Sequence, residues 1–245
     1  MNVPELRVER WLSDPTRRFS LRPVFRSEDL NSSIEEFVST FLARRNRTHR
    51  YPISDDDLER LVDGLTSEFD SSCDLRFVGD DVEGATRFWF DRKPAIMIDS
   101  RLGVANMARR RRMTIAHELG HVLLHRQLFE RSASGMMELF PDLEDRAPVY
   151  CFRHGIDLGP NWMEWQASYV AGLILMPSRE VIERATTIAL EMGTPYPFSA
   201  NGEETDQFVM LLSGEFEISQ EATRVRLLQL HAIEAHSSIQ RLPLS

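Results

Sequence analysis

The chain has 245 residues, of which 42% are hydrophobic and 27% charged, with a net charge of −9. That length supports a real core, one large domain with room for a small appendage. The acidic balance speaks against a coat for nucleic acid. Two cysteines, Cys73 and Cys151, are too few for a disulfide scaffold. No apolar run approaches the roughly 18 residues of a spanning helix. The N-terminus, MNVPELRVERWLSD, is charged and has no apolar signal-like stretch. The expectation is a soluble cytoplasmic protein.

Taken in chain order, residues 1–30 mix prolines, arginines and scattered apolar residues and predict an irregular arm. Residues 31–45 predict a helix, with Ile34, Phe37, Val38, Phe41 and Leu42 at helical spacing. Ser54 and the acids that follow it mark a second helix start, because carboxylates favour the positive end of the helix dipole. Short strands are predicted at 75–78, 86–90 and 95–98, the last two forming a hairpin across Asp91-Arg92-Lys93-Pro94. From residue 101 to about 128 the pattern is helical. Residues 131–160 hold several glycines and prolines and no sustained period, which predicts a long loop of the kind used as a lid. Helices follow at 161–175, ended by Pro177, and at 179–192. The chain therefore divides into an arm (1–30), a main domain (31–195) and a small helical section (196–245).

The chemistry concentrates in TIAHELGHVLLH, residues 114–125. His117 and His121 are four apart and so share one face of a helix, where two imidazoles can reach one zinc ion at about 2.0–2.1 Å. Glu118 points about 100° further round, where it can serve as general base to water instead of as a ligand. An ordinary helix with two hydrogen-bonded histidines has the same pattern. The apolar residues Ile115, Ala116, Leu119, Val122 and Leu123 count against that alternative, since they bury the helix and make unpartnered histidines costly.

A catalytic zinc needs a third protein ligand and an open position. Glu138, Asp142, Glu144, Asp145, Cys151, His154, Asp157 and Glu164 lie downstream. Glu164 is the best placed, because Ala167, Ser168, Ala171 and Gly172 follow it as a small-residue stripe that admits a close helix neighbour. The competing role for Glu164 is a capping box with Asn161. His125 lies about 12 Å along the helix from His117 and is expected to pack, or to act as a partial cation at the helix C-terminus. Cys151-x-x-His154 is a weak second metal pair. His154 and Tyr169 are candidates for polarising a substrate carbonyl. Arg109 to Arg112 are expected to be a solvated helix end or to meet the acidic stretch 138–145.

Two stretches, RMTIAHELGHVLLH (112–125) and EWQASYVAGLILMP (164–177), resemble the ImmA/IrrE family of zinc metallopeptidases. A weaker echo lies at 216–227. The resemblance implies a zincin-like α+β fold: a small sheet, an active-site helix, a second helix carrying the third ligand at Glu164, and a small helical C-terminal section. It implies the cofactor Zn2+ and, as protein substrate, a helix-turn-helix repressor cleaved to relieve repression. The arm before residue 31 and the long stretch between His121 and Glu164 depart from the family pattern.

Three functions follow. The leading one is a zinc endopeptidase in which His117, His121 and Glu164 hold the metal and Glu118 is the base. Its substrate would dock along an edge strand near 95–98. The second is a catalytically silent zinc-site protein acting as a binding module. The third, a DNA-binding regulator, is disfavoured because residues 178–245 carry five basic and ten acidic side chains and offer only Arg224 and Arg226 to phosphates. No direct nucleic-acid or membrane contact is expected.

Overall fold

A computed structural model describes residues 4–45, 51–89, 92–139, 149–154, 161–199 and 202–234, with the backbone alone for 130–139 and 149–154. It is a mixed α+β structure with two small sheets and, among the described residues, seven α-helices. No helix among them is long and apolar enough to cross a membrane.

The N-terminal stretch, expected to be irregular, forms a hairpin of β1 (Arg10–Ser13) and β2 (Leu21–Val24). Its turn is organised by one side chain. The buried Asp14 carboxylate accepts from the amides of Thr16 and Phe19 (2.9 Å each) and from the Thr16 hydroxyl (2.8 Å). It also accepts from the indole N–H of Trp162 (2.8 Å), which pins the hairpin to the body. Phe19 sets its edge against Phe129, with ring centroids 5.1 Å apart. The sequence offered no sign of this docking, because every partner is more than a hundred residues away.

Asp14→Ala strands the Trp162 indole and frees the turn amides. An unpartnered buried donor costs about 1–3 kcal/mol, so the urea midpoint should fall by at least that equivalent. Burial pushes the Asp14 carboxyl up, but the Phe19 and Thr16 amides, the Thr16 hydroxyl and the indole outweigh it and hold it below the usual range. The same direction holds for Asp57, through Arg45 and Ser54, and for Asp99, through Arg101 and the Leu75 amide. Depressed carboxyls contribute stability above their unfolded value, about 3.9, and lose it as pH falls through the folded one. Wild-type stability should therefore drop steeply below about pH 4, and less steeply in Asp14→Ala.

Helix α1 (Ser27–Arg45) buries Leu30, Ile34, Val38 and Leu42, and α2 (Asp55–Leu65) starts at Ser54, whose side chain accepts from the Asp57 amide. The main sheet has the order β3 (Glu68–Cys73), β5 (Ala95–Asp99), β4 (Val82–Phe88), β6 (Val149–His154). Strand β3 runs parallel to β5, and β4 is antiparallel to both β5 and β6. Residues 75–78, expected to be a strand, are instead a turn closed by the Val78 amide on the Leu75 carbonyl (2.9 Å). The real strand is the polar EFDSSC just before it, which has only one large apolar residue and is held by its pairing with β5. Strand 95–98 is also corrected: β5 is paired on both sides and presents no edge to a substrate.

After two short 3-10 turns at Ser100–Gly103 and Ala105–Met107 comes α3 (Ala108–Leu139), the axis of the molecule. Every side chain from Thr114 to His125 is buried, because the sheet covers one flank and α4 (Trp162–Leu175) the other. The stretch expected to be a long loop from 131 to 160 thus contains the end of α3 and the strand β6. Residues 140–148 and 155–160 lie outside the described residues. The arginines 109–112 are a solvated end only in part: Arg109 and Arg110 are exposed, Arg111 is half-buried and Arg112 is buried. Arg110 and Arg112 pair with Glu83 and Asp55, Arg111 pairs with Glu59 (2.6 Å), and Arg109 donates to the Ile218 carbonyl (3.2 Å).

Helices α5 (Ser178–Met192), α6 (Glu203–Glu215) and α7 (Gln220–Gln229) are the last helices among the described residues. The buried Arg226 of α7 donates to the Met176 carbonyl (3.0 Å) and the Ser178 hydroxyl (2.9 Å), locking α7 onto the end of α4. That placement makes it unavailable to a phosphate.

Candidate metal centre

Helices α3 and α4 meet at Gly120 and Ala167. A Cβ on Gly120 would lie 2.7 Å from the Ala167 carbonyl oxygen and 2.9 Å from its Cα, so only glycine permits this approach. The small-residue stripe of α4 serves this contact through Ala167. Gly172 does not join it, since a Cβ there would face Arg226 at 3.6 Å. The close crossing sets Glu164, one turn before Ala167, opposite the histidines of α3.

The three side chains converge. His117 Nε2 lies 2.9 Å from Glu164 Oε2, and His121 Nε2 lies 3.2 Å from Glu164 Oε1. The two Nε2 atoms are 3.2 Å apart. Tetrahedral zinc with ligands at about 2.0–2.1 Å requires ligand atoms roughly 3.3 Å apart, close to this triangle. Among the described residues, His117, His121 and Glu164 form the one such His/Cys/Asp/Glu group. Both histidines are buried, and Glu164 is about a quarter exposed, so the cluster opens to solvent on the α4 side. Burial pushes the Glu164 carboxyl up, but its contacts with His117 and His121 prevail and hold it far below the ordinary carboxylate range. A carboxylate that stays charged beside two imidazoles is a suitable donor set for a divalent cation.

The capping-box role for Glu164 does not hold. Asn161 does cap α4, but its side chain accepts from the Met163 amide (3.1 Å), and both Glu164 oxygens face the histidines. Glu138 lies on α3 with its side chain outside the described residues, as do Asp142, Glu144, Asp145 and Asp157 altogether.

Glu118 is buried on the opposite flank, against β4. The Thr86 hydroxyl donates to its Oε2 at 2.6 Å. A Cβ at Gly84 would lie 2.7 Å from Glu118 Oε1 and 2.8 Å from Thr114 Cγ2. Gly84, Thr86 and Phe88 alternate along β4, so all three present the same face, and Phe88 stacks on Phe129 further along α3 (4.3 Å). Sequence reading missed Gly84 and Thr86 because nothing in VEGATRF says which face of the strand meets which helix. Gly84→Ala must displace the carboxylate or the helix. Its expected result is a loss of about 1–3 kcal/mol in stability, together with lower activity at unchanged zinc content.

The remaining candidates are dispersed. Tyr169 is buried, its hydroxyl donates to Asn31 of α1 (2.8 Å), and its ring stacks on Trp165 (5.5 Å). It is not brought into the cluster. His154 closes β6 with its Cα paired to Val82, and Cys151 pairs with Thr86. Both side chains lie outside the described residues. His125 is not a partial cation at a helix end. It sits well inside α3 and is fully buried, and burial together with the neighbouring His121 holds its pKa well below the usual value. Its Nδ1 is 2.9 Å from His121 Nδ1 and its Nε2 3.1 Å from Gln166 Oε1. His117 Nδ1 lies 3.2 Å from the Ser168 hydroxyl. Both cluster histidines therefore turn Nε2 inward and have a partner at Nδ1, the outer arrangement that orients metal-binding imidazoles.

A His-His-Glu cluster on two closely crossed helices, with a buried glutamate next to the first histidine, has the parts of a metallopeptidase centre. The profile of the Peptidase_M78 family, the IrrE N-terminal-like domain, matches residues 76–146. The resemblance to the ImmA/IrrE family read from the two motifs is thereby borne out over β4, β5 and α3, and the match suggests a metallopeptidase-type function. Glu164 and α4 lie beyond the matched segment, and their place in the site rests on the geometry alone. No curated protein matches the chain.

Proposed function

We propose that the chain is a zinc-dependent endopeptidase of zincin-like architecture that cleaves a specific protein. The observation that carries this reading is the convergence of His117 Nε2, His121 Nε2 and the Glu164 carboxylate within 3.2 Å, with Glu118 next to His117 in the chain. A zinc ion held by these three residues would supply a Lewis acid for the peptide carbonyl and acidify water. Glu118 takes the proton from the attacking water at its carboxylate and delivers it to the leaving amine nitrogen. The Thr86 hydroxyl occupies one carboxylate oxygen and fixes the orientation of the other. Because β5 is interior, the substrate strand adds instead to the outer edge of β6, the sheet edge next to the strand that seats Glu118. The substrate is a helix-turn-helix repressor in the cytoplasm, the class suggested by the ImmA/IrrE resemblance. The acidic C-terminal section makes direct nucleic-acid binding no part of the function.

The complete burial of Glu118 favours a second reading, a silent zinc-site binding module. One experiment separates the two. The zinc-loaded protein is incubated with candidate repressors, with and without chelator, and the products are mapped by mass spectrometry. Chelator-sensitive cleavage at one or few sites supports the peptidase. Stable binding without cleavage supports the module.

A further inference from the structure

Three polar contacts run from the metal-facing histidine to the backbone of the N-terminal hairpin. The Pro23 carbonyl of β2 lies 3.0 Å from Gln166 Nε2, and Gln166 Oε1 lies 3.1 Å from His125 Nε2. His125 Nδ1 lies 2.9 Å from His121 Nδ1, and His121 Nε2 belongs to the cluster. Gln166, His125 and His121 are all buried, so water does not supply alternative partners freely.

The direction of every bond follows from the first. A backbone carbonyl only accepts, so the Gln166 amide must turn its NH2 to Pro23. That leaves Oε1, an acceptor, facing His125, whose Nε2 must then carry the proton. A neutral imidazole has one N–H, so His125 Nδ1 is the acceptor, and His121 must donate to it from Nδ1. The one proton of neutral His121 is thereby placed on Nδ1, and Nε2, which faces Glu164 and His117, is left unprotonated.

We propose that Gln166 and His125 form a relay that fixes His121 in its metal-binding tautomer, and that the N-terminal hairpin, through the Pro23 carbonyl, is a working part of the metal centre. This rests on the metal reading of the cluster. His125 and Gln166 are positioning residues: neither belongs to the cluster, and both act through His121. The hairpin is held in register for this task by Asp14, which ties it to Trp162 one turn before Gln166 on the same helix. Trp162 also sets its edge against the His125 ring, with centroids 5.6 Å apart at 89°. Loosening the hairpin therefore slackens both the hydrogen bond and the packing that orient the relay. Partners of this kind typically contribute 10–100-fold to metal affinity.

The test combines zinc affinity, measured by chelator competition, with the histidine tautomers of the full-length zinc-loaded protein, read by long-range proton–nitrogen NMR on 15N-histidine. Wild type should show His125 protonated on Nε2 and bare on Nδ1; the opposite tautomer overturns the relay. Gln166→Met keeps the side-chain length and removes both hydrogen bonds. It should weaken zinc binding about 10–100-fold and mix the His125 tautomers. Asp14→Ala should weaken zinc binding severalfold, although it lies on the far side of the hairpin turn. Unchanged affinity in Gln166→Met refutes the relay while leaving the metal reading standing, and unchanged affinity in Asp14→Ala refutes the part assigned to the hairpin. If Gln166→Met fails to fold, the wild-type tautomers decide the matter alone. Failure of the wild type to bind zinc in the same titration overturns the metal reading itself.

Discussion

Glu118→Gln is expected to retain zinc at the wild-type level and to lower substrate cleavage about 10²–10⁴-fold, the usual contribution of a positioned proton acceptor. The amide has nearly the volume of the carboxylate and can still accept from Thr86. Helix α3 and both histidines should therefore stay in place, and thermal unfolding should change little. The amide cannot take a proton from water at neutral pH, so the loss should appear in kcat and not in KM. Retained cleavage would assign the base to another residue. Equal silence of wild type and variant, with repressor binding intact in both, would favour the binding-module reading.

Glu164→Ala should produce the second large effect, on the metal itself. Two histidines leave a zinc site short of a protein ligand. The variant should lose more than the roughly 100-fold in affinity that outer partners contribute. Glu138→Ala and Glu144→Ala serve as controls from the segment between the two motifs and should bind zinc like the wild type. A larger loss in either control would move the third ligand out of α4. Because Gly120 packs against Ala167 and not against Glu164, the Ala substitution leaves the helix crossing intact. The loss then reports ligation and not collapse of the helix pair.

Much of the site was legible in the sequence because its information is local. The spacing of His117, Glu118 and His121 needs only one turn of helix, and Glu164 stands at the start of a capped helix with a small-residue stripe. The spacing also set the limits of the reading. Thr86 and Gly84 seat Glu118 from a strand some thirty residues away, and alternation along that strand does not say which face is turned to α3. Gln166 reads as an ordinary polar residue beside a tryptophan until the hairpin supplies a carbonyl acceptor. The fold shows the same division. Helices α1, α2, α4 and α5 follow from apolar periodicity and caps, to within a few residues. Strand β3 escaped because its residues are polar and its pairing with β5 determines it. The interior position of β5 likewise depends on strand order, which no single segment encodes.

The most direct measurement is an anomalous diffraction map at the zinc edge from crystals of the zinc-loaded protein. One peak per chain should appear, bonded to His117 Nε2, His121 Nε2 and a Glu164 carboxylate oxygen, with Glu118 beside the peak and not bonded to it. A peak at Cys151 and His154, or at His125, or no peak at the α3–α4 crossing, would contradict the metal centre and the peptidase chemistry built on it.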